Sequence, residues 1–127
     1  MPLTIPNLAY EENEMLALIE NVLEDNRQVE IEVHRNDVIS MDCTMSILLL
    51  PMMRKFKENM VGCPYGYGED ALDGEAKWLA TVDEIIWAME VTANGEHYDW
   101  NTDKIHLHKR RQAAFELFGK NFGNFWI

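Results

Sequence analysis

The sequence has few cysteines, few basic residues and no long apolar run. Its two cysteines, Cys43 and Cys63, are too few for a zinc quartet or a disulfide framework. The longest aliphatic stretch, residues 45–53, is interrupted by Pro51, so no segment is expected to span a bilayer. The N-terminal residues also lack the basic start and the apolar run of a signal peptide. These absences predict a protein of a reducing compartment, the cytosol.

Acidic residues, by contrast, are in excess. The 127 residues include 22 Asp and Glu but only 11 Lys and Arg, which gives a formal net charge of -11 at pH 7. A field of this sign repels nucleic acid and anionic membranes, so a protein or a cation is the expected partner. With 47% hydrophobic residues, a chain of this length is expected to fold as one globular domain, residues 1–127.

Apolar periodicity predicts a mainly α protein, an irregular bundle of about four helices with one short β-strand. In the strand, Val29, Ile31 and Val33 alternate with polar residues, whereas the helices repeat apolar residues three and four positions apart. The predicted helices are residues 8–25, 40–59, 76–93 and a last helix from Asp103, and the predicted strand is residues 28–34.

The clearest amphipathic pattern lies in residues 76–93. It places Trp78, Val82, Ile85 and Met89 on one face, which is therefore expected to form the core. For the last helix, capped by Thr102, the side expected to be buried carries Ile105, His108, Gln112, Phe115 and Phe118 or Gly119.

Two segments are expected to interrupt the helices. Pro51 removes a backbone donor and crowds the carbonyl four residues earlier, so the second helix should bend or break near Ile47. Residues 62–75 hold four glycines and one proline, a composition that predicts a loop.

The strand and the aromatic tail favour a homodimer. No second run in the sequence alternates as well as residues 28–34, so this strand is expected to pair with an irregular terminal segment or with a second copy. The tail holds Phe122, Phe125 and Trp126, which are expected to be docked rather than left in water. A dimer would cover both features.

Four carboxylates raise a catalytic alternative. Carboxylates from facing helices hold divalent ions in helical bundles. Asp42, Asp83, Glu84 and Glu90 are accordingly the candidate Mg²⁺ ligands of a nucleotide hydrolase. Their spacing also fits a solvated acidic face with one helix-capping carboxylate, and this structural interpretation is favoured. The preferred prediction therefore has no catalytic residue, no metal and no cofactor.

A third interpretation is a pocket that sequesters a small nucleotide signal. It requires basic groups such as Lys109 or Arg110 to face the pocket. The glycines of the sequence do not match a phosphate-binding loop. No serine or cysteine stands in a recognisable nucleophile motif, so covalent catalysis is not expected.

Two tryptophans lie off the predicted core face and are candidates for a protein interface. Trp87 is one position away from the apolar stripe of its helix, and Trp100 lies in an acidic loop. The carboxylates expected to take part in partner binding with them are Glu69, Asp70, Asp73, Glu96 and Asp99.

Three segments resemble a family of small, uncharacterised proteins of tailed bacteriophages. Residues 40–44, SMDCT, followed by ILLLPMMRKF, are similar to its W-S-M-D-x-T and L-P-M-L-K patterns, with Ile39 where the family usually has Trp. Residues 78–90, WLATVDEIIWAME, resemble W-x-x-x-L-D-E-M-I-x-A-F-E, and residues 117–126, LFGKNFGNFW, resemble L-F-G-K-Y-F-x-x-L-W. The loop at 64–75 is shorter than in the family, and residues 1–26 have no counterpart. The resemblance implies phage origin and residence in the cytoplasm of the infected bacterium.

The function predicted from these features is that of a small acidic phage accessory protein. It is expected to bind and modulate, by inhibition, a bacterial host protein with a basic surface that meets nucleic acid. The expectation is a non-enzymatic role, with the magnesium-dependent hydrolase and the nucleotide-sequestering protein as the alternatives.

Overall fold

The computed structural model describes residues 15–22, 28–96 and 104–127, with side chains for 31–96 and 104–127. Its internal contacts divide the chain into two compact units, Met1–Met45 and Ser46–Ile127. The predicted organisation as one domain stays a prediction.

The first unit contains a β-hairpin. Strands β1 (Met15–Val22) and β2 (Gln28–His34) are antiparallel, and their register pairs Ile19 with Ile31 and Val22 with Gln28. The helix predicted for residues 8–25 is therefore wrong over residues 15–22, and the rest of that range lies outside the described residues. A short apolar run fits both periods, and hydrogen bonding to a neighbouring strand decides between them.

The hairpin also changes the argument for a dimer. Strand β2 has its partner within the chain, in β1. The expectation that β2 would need a terminal segment or a second copy is therefore wrong, because a helix was predicted where its partner lies. The aromatic tail is the remaining feature that a dimer would cover.

A short helix that the sequence pattern did not indicate follows the hairpin. Helix α1 spans Arg35–Ile39. Its Asp37 is buried, with 4% of the residue exposed, and its Oδ2 accepts a hydrogen bond of 2.7 Å from the backbone N–H of His34. This bond satisfies one of the backbone donors that are left free at a helix N-terminus.

Helix α2 spans Met41–Asn59, one residue shorter than the predicted range of 40–59. The helix is continuous through Pro51, so the predicted break near Ile47 does not occur. Pro51 is exposed, so its ring lies on the solvent side, and the helix lacks the hydrogen bond that a proline cannot donate.

Helix α3 spans Ala71–Ala93 and begins five residues earlier than predicted. Asp70 caps it, with Oδ1 accepting a hydrogen bond of 2.8 Å from the backbone N–H of Asp73. The loop predicted for residues 62–75 is correspondingly shorter. Its glycines suggested a loop, but a cap of this kind satisfies the first-turn donors and allows the helix to start among them.

The predicted face of α3 forms the core of the second unit. Trp78, Val82, Ile85 and Met89 are at most 2% exposed, which confirms the stripe. The buried side chains of Leu50 and Met53 from α2 join this cluster.

Helix α4 spans Lys104–Lys120, and its inward side differs from the predicted one. Ala114 is buried and Phe115 half-buried, but Ile105 is 69% exposed and Gln112 is exposed. The predicted stripe is therefore correct at His108, Phe115 and Phe118, which are half-buried, and wrong at its other positions. Ile105 and Gln112 lie on the solvent-exposed side of α4. The side that faces inward includes Leu107, Arg111 and Ala114. The predicted cap, Thr102, lies outside the described residues.

The C-terminal segment contributes one ring to the core. After a 3₁₀ helix at Phe122–Asn124, the ring of Phe125 lies 5.5 Å from that of Phe56, 5.6 Å from Trp78 and 5.3 Å from Phe118, between centroids. Docking of the tail is thus confirmed for Phe125. It is wrong for Phe122 and Trp126, which are 67% and 76% exposed.

The protein is mainly α, as predicted. Among the described residues, the four α-helices have 5, 19, 23 and 17 residues, against 8 and 7 in the two strands. No helix among the described residues is long and apolar enough to cross a membrane.

Candidate functional site

Helix α3 carries three of the four candidate magnesium ligands, and each of them contacts a basic side chain. The carboxylate of Asp83 lies 2.6 Å from Lys57 Nζ, and that of Glu90 lies 3.1 Å from Arg54 Nη2. Both basic partners come from α2. These ion pairs neutralise carboxylates that a divalent ion would otherwise need.

Glu84 is paired with Arg110 of α4. Its two oxygens accept from Nε at 2.6 Å and from Nη2 at 2.9 Å, a bidentate contact. The guanidinium also lies over the ring of Trp87, with Cζ 3.7 Å from the ring centroid. The contact with Glu84 raises the pKa of Arg110 above its usual value. The arrangement clamps α4 onto α3.

The fourth candidate ligand, Asp42, lies in the first turn of α2 and is exposed. Within residues 31–96 and 104–127, no group of three or more His, Cys, Asp or Glu side chains could hold a metal ion. Three of the four carboxylates are thus ion-paired on a helix surface, and the fourth lies at a helix terminus.

The hypothesis of a nucleotide pocket requires Lys109 or Arg110 to face that pocket. Arg110 is held by Glu84 and Trp87, and Lys109 is exposed. Neither residue lines either of the clefts described below. These two basic residues therefore do not face either of the two clefts.

The start of α3 carries an acidic segment, residues 69–75, with four carboxylates. Glu69, Asp70 and Glu75 are exposed. Asp73 accepts a hydrogen bond of 2.9 Å from the backbone N–H of Glu69, and it lies 2.9 Å from Lys77 Nζ. The Glu69 N–H, and then Lys77, lower the pKa of Asp73 below its usual value, so this carboxylate is ionised at neutral pH.

The remaining predicted partner-binding residues are spread over the second unit. Trp87 is half-buried beneath Arg110, and Glu96 is exposed, with its backbone carbonyl accepting a 2.9 Å hydrogen bond from Lys104 Nζ. Trp100 and Asp99 lie outside the described residues. Of the predicted set, the structure brings together Glu69, Asp70 and Asp73.

The net charge is distributed unequally between the two units, which the sequence analysis did not predict. Residues 1–45 hold ten Asp and Glu against Arg27 and Arg35, whereas residues 46–127 hold twelve against nine basic residues. Most of the net negative charge therefore belongs to the smaller unit. The charges can be read from the sequence, but the boundary that separates them comes from the division into two units.

Described residues of the second unit line two apolar clefts that the sequence did not predict. Cleft 1 has a volume of about 330 Å³ and cleft 2 of about 380 Å³, and Phe56 lines both. Cleft 1 is lined by Phe56, Met60, Val61, Cys63, Pro64, Tyr65, Trp78, Asn124, Trp126 and Ile127. Cleft 2 is lined by Leu49, Met52, Met53, Phe56, Phe118, Phe122 and Phe125.

Comparison with known proteins gives no relative, because no family model, curated protein or solved structure matches the chain. The functional conclusion therefore depends on the chemistry of the described residues.

Proposed function

We propose that this chain is a small acidic accessory protein of a bacteriophage that binds a bacterial host protein and inhibits it. The expected partner has a basic surface that otherwise meets nucleic acid. The complex would form in the cytoplasm of the infected cell. The origin rests on the three segments that resemble tailed-phage proteins.

The observation that carries the proposal is the contrast between two sets of carboxylates. Asp83, Glu84 and Glu90 are neutralised by basic side chains within the second unit. Glu69 and Glu75, in the acidic segment, are exposed. Exposed carboxylates of one sign attract a basic surface and accelerate its association.

The electrostatics of the whole chain support the same type of partner. The net charge of -11 is carried mainly by residues 1–45, so the chain presents a strong negative field. Such a field competes with the phosphate backbone of nucleic acid for a basic surface, since both are recognised by Lys and Arg.

Capture from a bacterial lysate followed by displacement tests the proposal. The immobilised chain is expected to retain a protein at physiological salt, and double-stranded DNA is expected to release it. The captured protein should lose nucleic-acid binding when the soluble chain is added. Failure to retain any protein at about 50 mM and at about 150 mM salt would contradict the proposal.

Two double variants with equal charge change locate the interaction. Glu69→Gln with Glu75→Gln removes two exposed carboxylates from the acidic segment. Glu58→Gln with Glu116→Gln removes two exposed carboxylates elsewhere in the second unit. The first variant is expected to weaken capture several-fold more than the second at the same salt concentration. Equal losses would show that only net charge matters and that the acidic segment is not the binding surface.

A further inference from the structure

The two clefts adjoin at Phe56, which lines both. Six large apolar residues on this surface are more than half exposed. We call this surface the aromatic face, and its exposed residues are Met52, Val61, Tyr65, Phe122, Trp126 and Ile127. Apolar patches of this kind mark interaction sites on soluble proteins.

No described residue that lines the aromatic face has a charged side chain. The sixteen residues that line the two clefts include no Asp, Glu, Lys or Arg, although these make up 26% of the chain. A basic partner would be recognised by carboxylate side chains, and the described lining of this face includes none. Two copies of a chain with a net charge of -11 repel each other, so contact between them is favoured at a face without charged side chains.

The exposed area is sufficient for a stable dimer. Tyr65 is fully exposed, and Phe122 and Trp126 are 67% and 76% exposed. Since an aromatic side chain can bury 150–250 Å², the six exposed residues together offer on the order of 800 Å² per copy. A specific interface of standard size buries about this area on each partner.

The face also combines protruding side chains with hollows. Trp126 and Phe122 project from a surface that contains clefts of about 330 and 380 Å³. A two-fold interface brings the same patch of both copies together, so one patch must supply both the projections and the cavities that receive them. The aromatic face meets this requirement by itself.

We propose that the aromatic face is a homodimer interface, in which exposed rings of each copy enter the apolar clefts of the other. This assembly is independent of the proposed host partner, which is recognised by carboxylates at a different surface.

Sedimentation of the full chain tests the dimer directly. We expect a dimer mass at concentrations of about 1–100 μM. The dissociation constant of the dimer should stay constant or fall between about 50 and 500 mM salt, because salt screens the repulsion between two acidic copies. Binding to a basic partner weakens with salt, so the two interactions can be told apart. A monomer mass at every concentration and salt would overturn the proposal.

Point variants place the interface. Trp126→Asp and Met52→Asp change different segments of the face and are each expected to weaken dimerisation at least about tenfold. Ile105→Asp is the matched control, because Ile105 is 69% exposed, lies outside the face and undergoes the same change. Circular dichroism verifies that each variant is folded, and either face variant suffices if the other unfolds. A dimer that both folded face variants leave unchanged, or that the control weakens equally, would refute the assignment.

Discussion

A single methyl group at Gly68 is expected to destabilise the second unit. A Cβ at this position would lie 2.6 Å from Gly74 Cα and 2.7 Å from Asp73 Oδ2, and it would also clash with the backbone nitrogen of Gly74. Carbon atoms in contact are ordinarily about 3.5–4.0 Å apart. Most of the blocking atoms belong to the backbone of α3, so the loop would have to move by roughly 1 Å to relieve the overlap.

That movement would disturb the contacts of the neighbouring residue, Tyr67. The Tyr67 hydroxyl lies 2.5 Å from Thr81 Oγ1, and its ring centroid lies 5.2 Å from that of the buried Trp78. Overpacking costs about 1–3 kcal/mol, and a lost hydrogen bond costs about 1 kcal/mol more. We therefore expect Gly68→Ala to lower the free energy of unfolding by about 2–4 kcal/mol.

Urea denaturation followed by tryptophan fluorescence and circular dichroism measures this loss. The matched control is Gly119→Ala, since a Cβ on Gly119 would meet no atom within 4 Å beyond its chain neighbours and the backbone of its own helix, α4. An alanine there should stabilise the helix by about 0.5–1 kcal/mol. The reasoning is refuted if Gly68→Ala is as stable as the wild type, or if both substitutions change stability in the same direction.

Two further predictions concern charged groups of α3. Because the folded pKa of Asp73 is below its unfolded value of 3.8, its contribution to stability is present above that value and is lost as the pH falls through the folded pKa. Asp73→Asn should therefore reduce the loss of stability between about pH 5 and pH 2 in an acid titration, and an unaltered titration would contradict this. Arg110→Lys should lower the melting temperature, by less than Gly68→Ala does, because a lysine cannot form two parallel bonds to Glu84 or stack as a plane on Trp87. An unchanged melting temperature would show that the clamp between α3 and α4 adds nothing to stability.

The spacing of apolar residues predicts the fold where one helix has a single apolar face that must be buried. The spacing of Trp78, Val82, Ile85 and Met89 leaves one possible inward face, and the structure buries all four residues. The start of the same helix was harder to predict, since glycines dominate the composition there. The spacing of Asp70 and Asp73 is the capping signal that could have located it.

The hairpin could not be derived from periodicity alone. Residues 15–22 contain Met15, Leu18, Ile19 and Val22 at helical spacing, and the competing strand depends on pairing with residues 28–34. A short apolar run has no preference strong enough to exclude either structure.

The surroundings of the candidate carboxylates depend on contacts between distant parts of the chain. Glu90 and Arg54 are 36 residues apart, and Glu84 and Arg110 are 26 apart. The sequence identifies these residues as charged, but only packing of α2 and α4 against α3 shows that they neutralise each other. The aromatic face could not be predicted from the sequence for the same reason, since it combines side chains of α2, the loop after it and the C-terminal segment.

Pro51 has a consequence for local opening of α2. Its nitrogen carries no hydrogen, so it cannot donate to the carbonyl of Ile47. The helix therefore lacks one backbone hydrogen bond near its middle. Amide hydrogen exchange reports such local openings separately from global unfolding. The turns on either side of Pro51 should therefore exchange their amide hydrogens as two separate groups with different rates, whereas an uninterrupted helix would open and close along its whole length.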